Sequence, residues 1–513
     1  MGALVLARRW WMLGVTCLSV VVVSLDLTIL NIALPEISAA LHAGTGDLQW
    51  FVAAYSLTFA GVMLPAGMTG DRLGRKRLLL AGLAVFLAAS LCCALSASAG
   101  ELIAARALMG LGAGIVFPLS LAVVTAAFGD DDRPVAIGIL SAAVALALPL
   151  GPVLGGLLLQ HFSWHSVFWI NVPVACLALA AGAVLLPESR NPAAPPLDAA
   201  GALLSTAAIL CLSWGFIDAP NYGWTAAPTW GLLAGSAIAL TAFVLRERST
   251  PHPLVDPALF ADPRFSWGTA ATVAVSVALF AVLFVFPQYL QGALGEDPVS
   301  AGLRLLPMMA GLLVAGGAAA QIARAAGTRL TVAGGLAVLA GGLVMLSQIH
   351  LATGYAFVAT GLALCGLGTG VAIGAAMNVV MAAVGGEEAG IGASANSALR
   401  QVGGAITVAV LGSVLSAGYT RALGPALAAL PAGDAATARS SVAQAARLAA
   451  HLGDHRLLEA AGTAFLHGMN TVMLGCAGVA ALAVLTSLRY LPGRARGEAS
   501  PPATVPAQAD ARR

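Results

Sequence analysis

The amino-acid sequence predicts an all-α, polytopic membrane protein with fourteen transmembrane helices, arranged as two six-helix bundles plus two additional central helices. The first observation behind this prediction is the composition. Of 513 residues, 59% are hydrophobic and 9% are charged, and the mean hydropathy is +0.90. A soluble domain carries about 25% charged residues, so this chain has too few charges to cover its surface in water. The second observation is that its apolar residues form long runs, each close to the roughly 20 residues of a bilayer-crossing helix.

The apolar runs define the fourteen expected spans. They cover residues 10–34, 48–68, 77–98, 102–128, 135–159, 166–187, 198–217, 228–245, 267–290, 300–320, 331–350, 354–384, 393–416 and 465–488. The run that follows Arg8 and Arg9 is too long for the apolar core of a signal peptide, so we interpret it as the first span. The seven cysteines lie inside apolar runs without metal-ligand spacing, and the sequence predicts no metal site.

The positions of Lys and Arg predict the orientation. With the N-terminus in the cytoplasm, 18 of the 25 Lys and Arg residues lie in cytoplasmic segments, as expected for a membrane protein with basic inner loops. An even number of spans returns the C-terminus to the same side. We therefore expect a multi-pass protein of the plasma (cytoplasmic) membrane with both termini cytoplasmic. The net charge of +2 does not suggest nucleic-acid binding.

The connecting segments predict the domain organisation. An N-terminal six-helix bundle is expected over 1–187, a linker with two additional spans over 188–266, and a C-terminal six-helix bundle over 267–490. Within the last bundle we expect a long outer loop at 417–464, and after it a disordered cytoplasmic tail at 491–513. Repeated halves around a central binding site are common among secondary transporters.

Asp26 is the most informative residue because it lies well inside the first expected span. A charged side chain at the centre of a membrane helix costs on the order of 2.5–3.5 kcal/mol on insertion scales, so it persists when it is paired or when its protonation is useful. Arg106, near the outer end of the fourth expected span, is its natural partner. We interpret the two as a proton site. The simpler alternatives are a structural ion pair and an Arg106 side chain that extends to the membrane surface.

A polar segment with regular glycines follows the second expected span. Its marked residues are Gly67, Gly70, Asp71, Arg72, Gly74, Arg75, Lys76 and Arg77. Glycine allows a tight turn, which would hold Asp71 near cationic neighbours or near the N-terminus of a helix. Basic residues alone would be ordinary flanking charges of a cytoplasmic loop.

The fifth expected span contains a second glycine motif, made of Gly151, Pro152, Gly155 and Gly156. Gly151 and Gly155 are four residues apart and predict a surface that another helix can approach closely. Pro152 predicts a bend in the same helix.

Taken together, these segments resemble the major facilitator superfamily in its fourteen-helix drug/proton antiporter branch. The resemblance covers nearly the whole chain. It is carried by Leu25–Pro35, Gly67–Arg77, Arg106–Gly114, Gly151–Gly156, Trp164–Pro173, Pro287–Gln291 and Ala398–Gly404. The sequence departs from the family pattern where Thr69 replaces a leucine, His165 an arginine and Ala147 a glycine.

The resemblance implies alternating access, in which proton import drives export of a compound. It assigns proton coupling to Asp26 and Arg106, and a cytoplasmic conformational latch to Asp71 with Arg72 and Arg75. It casts Gly151–Gly156, the antiporter motif of this branch, as a packing seam that prevents leak.

The predicted function is proton-coupled efflux of small amphiphilic compounds, as in multidrug or antibiotic resistance. We expect the protein to act in the bilayer as a monomer and without a cofactor. Its expected partners are a small-molecule substrate and protons. A dedicated exporter of one endogenous metabolite, siderophore or lipid is the alternative within this class, and a non-transporting sensor or a membrane-embedded enzyme lies outside it. No catalytic motif was found, so the chain is not expected to be an enzyme. Polarity and placement suggest five residues of a substrate cavity: Tyr55, Gln288, Tyr289, Asn378 and Gln401.

Overall fold

The chain is helical throughout the computed structural model, which describes residues 2–129, 132–190, 198–251, 253–254, 257–384, 389–428 and 430–492. Over these residues it forms eighteen α-helices, one short 3-10 helix and one π-helical turn, and no β-strand. Helices satisfy their backbone hydrogen bonds internally, which is what the hydrocarbon core of a bilayer requires. The disordered tail predicted at 491–513 lies outside the described residues, apart from its first two.

The first nine helices are α1 (Gly2–Ala40), α2 (Thr45–Leu73), α3 (Arg75–Leu95), α4 (Ala99–Ala127), α5 (Arg133–His161), α6 (Ser166–Trp169), α7 (Asn171–Leu185), α8 (Ala199–Tyr222) and α9 (Ala227–Ser249). The next six are α10 (Pro263–Gln288), α11 (Pro298–Arg304), α12 (Leu306–Ala326), α13 (Thr328–Leu346), α14 (Tyr355–Ala383) and α15 (Ala389–Leu427). The last three are α16 (Ala432–Ser440), α17 (Val442–Leu452) and α18 (His455–Tyr490). The 3-10 helix is Pro257–Ala261, and the π-helical turn, Tyr289–Ala293, extends α10.

The predicted fold class is confirmed. Thirteen of the described helices or helix pairs are long and apolar enough to cross a membrane, and α2, which bends by 47° next to Pro65, makes fourteen. The sixth span is broken into α6 and α7, and the tenth into α11 and α12. Some helices extend beyond the predicted spans. Helix α1 continues to Ala40 with Pro35 inside it, and α15 runs to Leu427 while α18 begins at His455, so both reach into the segment expected as an outer loop at 417–464. The bounds of that loop stay a prediction.

The helices pack as two groups with a pair outside them. Helices α1 to α7 contact one another, as do α10 to α18, and the two groups meet where α2 packs on α15, α5 on α11 and α1 on α10. Helices α8 and α9 pack together, and α8 lies against both α2 and α15. We call α1–α7 the first bundle and α10–α18 the second bundle. The exact domain boundaries within the linker stay a prediction.

The two ends of the molecule differ in how the bundles meet. We call the end where α2 gives way to α3 the basic end, and the opposite end, which carries α16 and α17, the short-helix end. Hydrogen bonds between the bundles lie toward the short-helix end. They join Ser38 to Ser441 and Gln444, Thr45 to Ser440, Gln291 to Ile32, and Gln49 to Val408 and Ala409. At the basic end, the ion pairs of Asp71 with Arg75 and of Glu188 with Arg77 lie within the first bundle.

Candidate functional site

Asp26 and Arg106 form an ion pair inside the first bundle, as the sequence predicts. Arg106 Nη1 donates to Asp26 Oδ2 at 2.5 Å, and the two side chains are 2% and 0% exposed, respectively. With a rise of about 1.5 Å per residue, Asp26 lies about 21 Å from the end of α1 and Arg106 about 10 Å from the start of α4. Arg106 therefore turns inward to the carboxylate rather than to the membrane surface.

Three further groups complete the surroundings of Arg106. Its Nε donates to the Phe51 carbonyl oxygen at 3.0 Å, and its Cζ lies 4.3 Å from the centre of the Tyr55 ring. A cation over an aromatic face is stabilised by about 2 kcal/mol or more when both are desolvated. The Met109 sulfur is 3.5 Å from Nη1. The guanidinium thus keeps neutral partners that remain in place when the charge of Asp26 is removed.

Asn171 is a member of this site that the sequence reasoning did not assign. Its Nδ2 donates to Asp26 Oδ1 at 3.3 Å, so each carboxylate oxygen has its own donor. Asn171 is buried at the start of α7, directly after the break at Ile170, and its own Oδ1 has no hydrogen-bond partner among the described residues. The signal that could have found it is its position in the Trp164–Pro173 motif, where an amide stands at the edge of a span.

The glycine-rich segment between α2 and α3 forms a turn braced by a carboxylate from outside it. Gly74 has φ of +123°, a conformation that glycine adopts readily, and Gly70 packs on Leu119 of α4. Glu188 accepts hydrogen bonds from the backbone N–H groups of Lys76 and Arg77 at the start of α3, at 3.2 and 3.3 Å. The carboxylate at this helix N-terminus is therefore Glu188 and not Asp71.

Asp71 instead pairs with Arg75 one helical turn away, at 2.7 Å. Arg75 also donates to the Ala122 carbonyl oxygen of α4 at 3.4 Å, and Lys76 Nζ donates to that of Ala183 in α7 at 2.7 Å. Arg72 is exposed and makes no ion pair among the described residues. The segment thus ties α2, α3, α4 and α7 together within the first bundle. Gly67 has open space around it.

The glycine motif of α5 packs on both bundles. A Cβ atom at Gly151 would collide with Thr28 of α1, and one at Gly155 would lie 3.0 Å from Ile29 Cγ1. On the other side, a Cβ at Gly156 would lie 2.6 Å from the Pro298 carbonyl oxygen of α11. The carbonyl oxygen of Pro152, on α5, approaches Gly302 of α11. The motif therefore seals α5 against α1 and against the second bundle.

The sequence of this chain matches the model of the Major Facilitator Superfamily over residues 16–408. The chain belongs to this superfamily. It is 33% identical, over 80% of its length, to the tetracenomycin C resistance and export protein of Streptomyces glaucescens, covering 76% of that protein. It is 32% identical to the methyl viologen resistance protein SmvA of Salmonella typhimurium, over 92% of its own length and 96% of that protein.

A solved structure of the superfamily has the same fold. The bacterial homologue of the human lysosomal transporter Spinster, in an inward-facing and unoccupied conformation, superposes with a TM-score of 0.66. The match covers 94% of this chain and 98% of the other at 16% sequence identity. Family and fold together identify this superfamily member as a membrane transporter.

The five predicted cavity residues of this superfamily member lie in different surroundings. Tyr55 is buried against Arg106 and belongs to the ion-pair site. Gln288 and Tyr289 are buried near the end of α10, where Gln288 donates to its own helix and the Tyr289 hydroxyl has no hydrogen-bond partner in the described part of the chain. Asn378 is exposed on α14, and Gln401 is half-buried on α15. Their contact with a substrate stays a prediction.

Proposed function

We propose that this protein is a proton-coupled antiporter that exports small amphiphilic compounds by alternating access. The single observation that carries the proposal is the buried ion pair of Asp26 and Arg106. Charges inside membrane spans are costly and mark ion and proton pathways. The names of the relatives, which include a tetracenomycin C export protein and a methyl viologen resistance protein, support efflux of amphiphilic compounds.

The orientation follows from the distribution of basic residues. Arg72, Arg75, Lys76 and Arg77 lie at the basic end, and the rule that inner loops are basic supports a cytoplasmic position for this end. Helix α1 starts and α18 finishes at the same end, so both termini would be cytoplasmic, in a plasma membrane. The inter-bundle hydrogen bonds then close the outer side, and the conformation is inward-open. The inward-facing structural neighbour supports this assignment.

In the proposed cycle, protonation of Asp26 switches the state of the first bundle. The ionised carboxylate holds Arg106, while the neutral acid does not, and the guanidinium then relies on the Phe51 carbonyl and the Tyr55 ring. Because α1 contacts α10 and α5, a change at Asp26 reaches the interface between the bundles. Proton entry from outside would thereby be exchanged for export of the compound. The cycle requires no cofactor, and one copy of the chain is sufficient for it.

Reconstituted protein tests the proposal. Wild type, Asp26→Asn and the control Glu459→Gln are placed in liposomes that contain the pH-sensitive dye pyranine, and ethidium is added across an imposed pH gradient. Glu459 is an exposed carboxylate at the short-helix end, so its replacement removes the same charge away from the site. We expect ethidium-dependent proton flux in wild type and Glu459→Gln and none in Asp26→Asn. Equal flux in all three proteins would refute the coupling role.

A further inference from the structure

A second arginine lies inside the membrane-spanning part of the molecule, in the opposite bundle. Arg400 is on α15, in a candidate span over Gly392–Leu427. Its Nε donates to Ser276 Oγ of α10 at 3.1 Å, and it forms no ion pair among the described residues. Its two terminal nitrogens have no hydrogen-bond partner among the described residues, and the side chain is half-buried. Four N–H donors of the guanidinium thus remain available.

The depth of Arg400 excludes a side chain that simply reaches the membrane surface. At a rise of about 1.5 Å per residue, Arg400 lies about 17 Å from the start of α15, and Ser276 about 20 Å from the start of α10. Both helices start at the basic end, so the guanidinium reaches toward the middle of the bundle. An unpaired charge at this depth is tolerated where it faces a water-filled cavity or the interior of the bundle.

The groups around Arg400 are polar but neutral. Ser276 Oγ donates to the Thr272 carbonyl oxygen, and the Thr272 hydroxyl donates to Asn396 Oδ1 at 2.8 Å. One turn away on α10, the hydroxyl of Thr269 is buried and has no hydrogen-bond partner within the residues that the structure describes. This polar cluster on α10 and α15 positions the guanidinium and does not neutralise it. The first bundle therefore holds an arginine with a carboxylate partner, and the second bundle holds Arg400, which has no such partner among the described residues.

Helix α15, which carries this cation, lies where the two bundles meet. Helix α15 packs against α10 and α18 of its own bundle and against α2 of the first bundle. Inter-bundle hydrogen bonds lie toward the short-helix end, and Arg400 lies on the basic-end side of the bonds from Gln49 to Val408 and Ala409. A compound that enters from the basic end would meet Arg400 before it reached that closure.

We propose that Arg400 binds an anionic oxygen, such as a carboxylate or a comparably acidic oxygen, through its terminal nitrogens in those transported compounds that carry one. The planar guanidinium fork matches a carboxylate in two parallel hydrogen bonds, whereas an ammonium acts as a point charge. Arg400 is thus a specificity-determining residue. The inference rests on the proposed transport function and adds the chemical class of group that the second bundle recognises.

Equilibrium binding of two matched dyes tests the inference. Rhodamine B carries a carboxylate, and its ethyl ester has the same ring system without that charge. Binding of each dye to purified protein in nanodiscs is followed by fluorescence anisotropy at neutral pH. We expect wild type to bind the acid about tenfold more tightly than the ester, as charge-assisted hydrogen bonds would give. Arg400→Gln should abolish this preference, and Arg400→Lys should retain roughly a third of it, because the charge remains and the fork is lost.

The control is Arg324→Gln, which removes an exposed arginine near the end of α12, and it should keep the wild-type preference. Size-exclusion profiles identify any variant that fails to fold, in which case Arg400→Lys alone decides the result. Equal affinities for the two dyes in wild type, including no measurable binding of either, would overturn the proposal, as would an unchanged preference in Arg400→Gln. Binding needs no proton gradient, so a failure of proton coupling in the transport assay would leave the ratio of affinities unaffected.

Discussion

The buried ion pair of Asp26 and Arg106 allows a prediction about stability. It separates the cost of leaving Arg106 without its counter-charge from the effect of removing both charges. Asp26→Asn keeps the shape of the side chain and an acceptor oxygen but leaves Arg106 without a counter-charge. Arg106→Gln in the same chain then removes the unpaired charge. We expect the single variant Asp26→Asn to be less stable than the double variant, although the double variant carries one more substitution.

The magnitude follows from the burial of both groups. Arg106 is 2% exposed and Asp26 is fully buried, so water cannot replace the lost partner. Removing one member of a buried ion pair costs about 3–5 kcal/mol, while replacing both members with neutral groups is often close to neutral. The Phe51 carbonyl and the Tyr55 ring still contact the guanidinium, so we expect the lower limit, about 3 kcal/mol.

The assay is thermal unfolding in detergent, followed by fluorescence-detected size exclusion. A change of 1 kcal/mol moves the midpoint by about 2–4 °C in chains of 150–250 residues and by less in longer ones, so Asp26→Asn should unfold on the order of 5 °C below wild type. The double variant should recover at least half of this loss. The control Glu459→Gln should match wild type, since its side chain is exposed.

Two results would refute the reasoning. If Asp26→Asn unfolds at the wild-type temperature, the carboxylate does not stabilise the buried guanidinium. If Arg106→Gln lowers the stability of the Asp26→Asn variant as much as it lowers that of wild type, the two residues act independently. Their close contact then contributes nothing to the stability.

Two further predictions concern the packing of the helices. Gly156→Val would push against the Pro298 carbonyl oxygen, and such overpacking costs about 1–3 kcal/mol. It should loosen the contact between α5 and α11 and raise passive proton leak in liposomes. The control Gly138→Val, on the same helix but with no atom near its Cβ position, should not raise the leak. Asp198 lies directly before the start of α8, and the Arg246 side chain of α9 lowers the pKa of its carboxyl group. The stabilisation by that pair is present above the ordinary carboxyl pKa and is lost as the pH falls through the lowered value, and the effect is small because the Arg246 side chain is exposed to solvent. Asp198→Asn should therefore reduce the fall of the thermal midpoint in acid, and an unchanged fall would contradict this prediction.

Several parts of the site could be predicted because they are local. An acid in an apolar run, an arginine near the edge of another and glycines four residues apart can all be found by position along the chain. The partnership of Asp26 with Arg106 was also predicted, because charges inside a membrane need partners. Glu188 was not predicted, since it lies more than a hundred residues from the helix N-terminus that it caps.

The amino-acid sequence by itself determined the class of protein, the spans and the superfamily, because hydropathy and short motifs are properties of neighbouring residues. Only the tertiary structure decided that Asn171 shares the carboxylate, that hydrogen bonds join the bundles at the short-helix end, and that Arg400 pairs with no acid among the described residues. These features depend on how long helices rotate and pack against one another. Such contacts join residues far apart in the chain, and local hydropathy does not encode them.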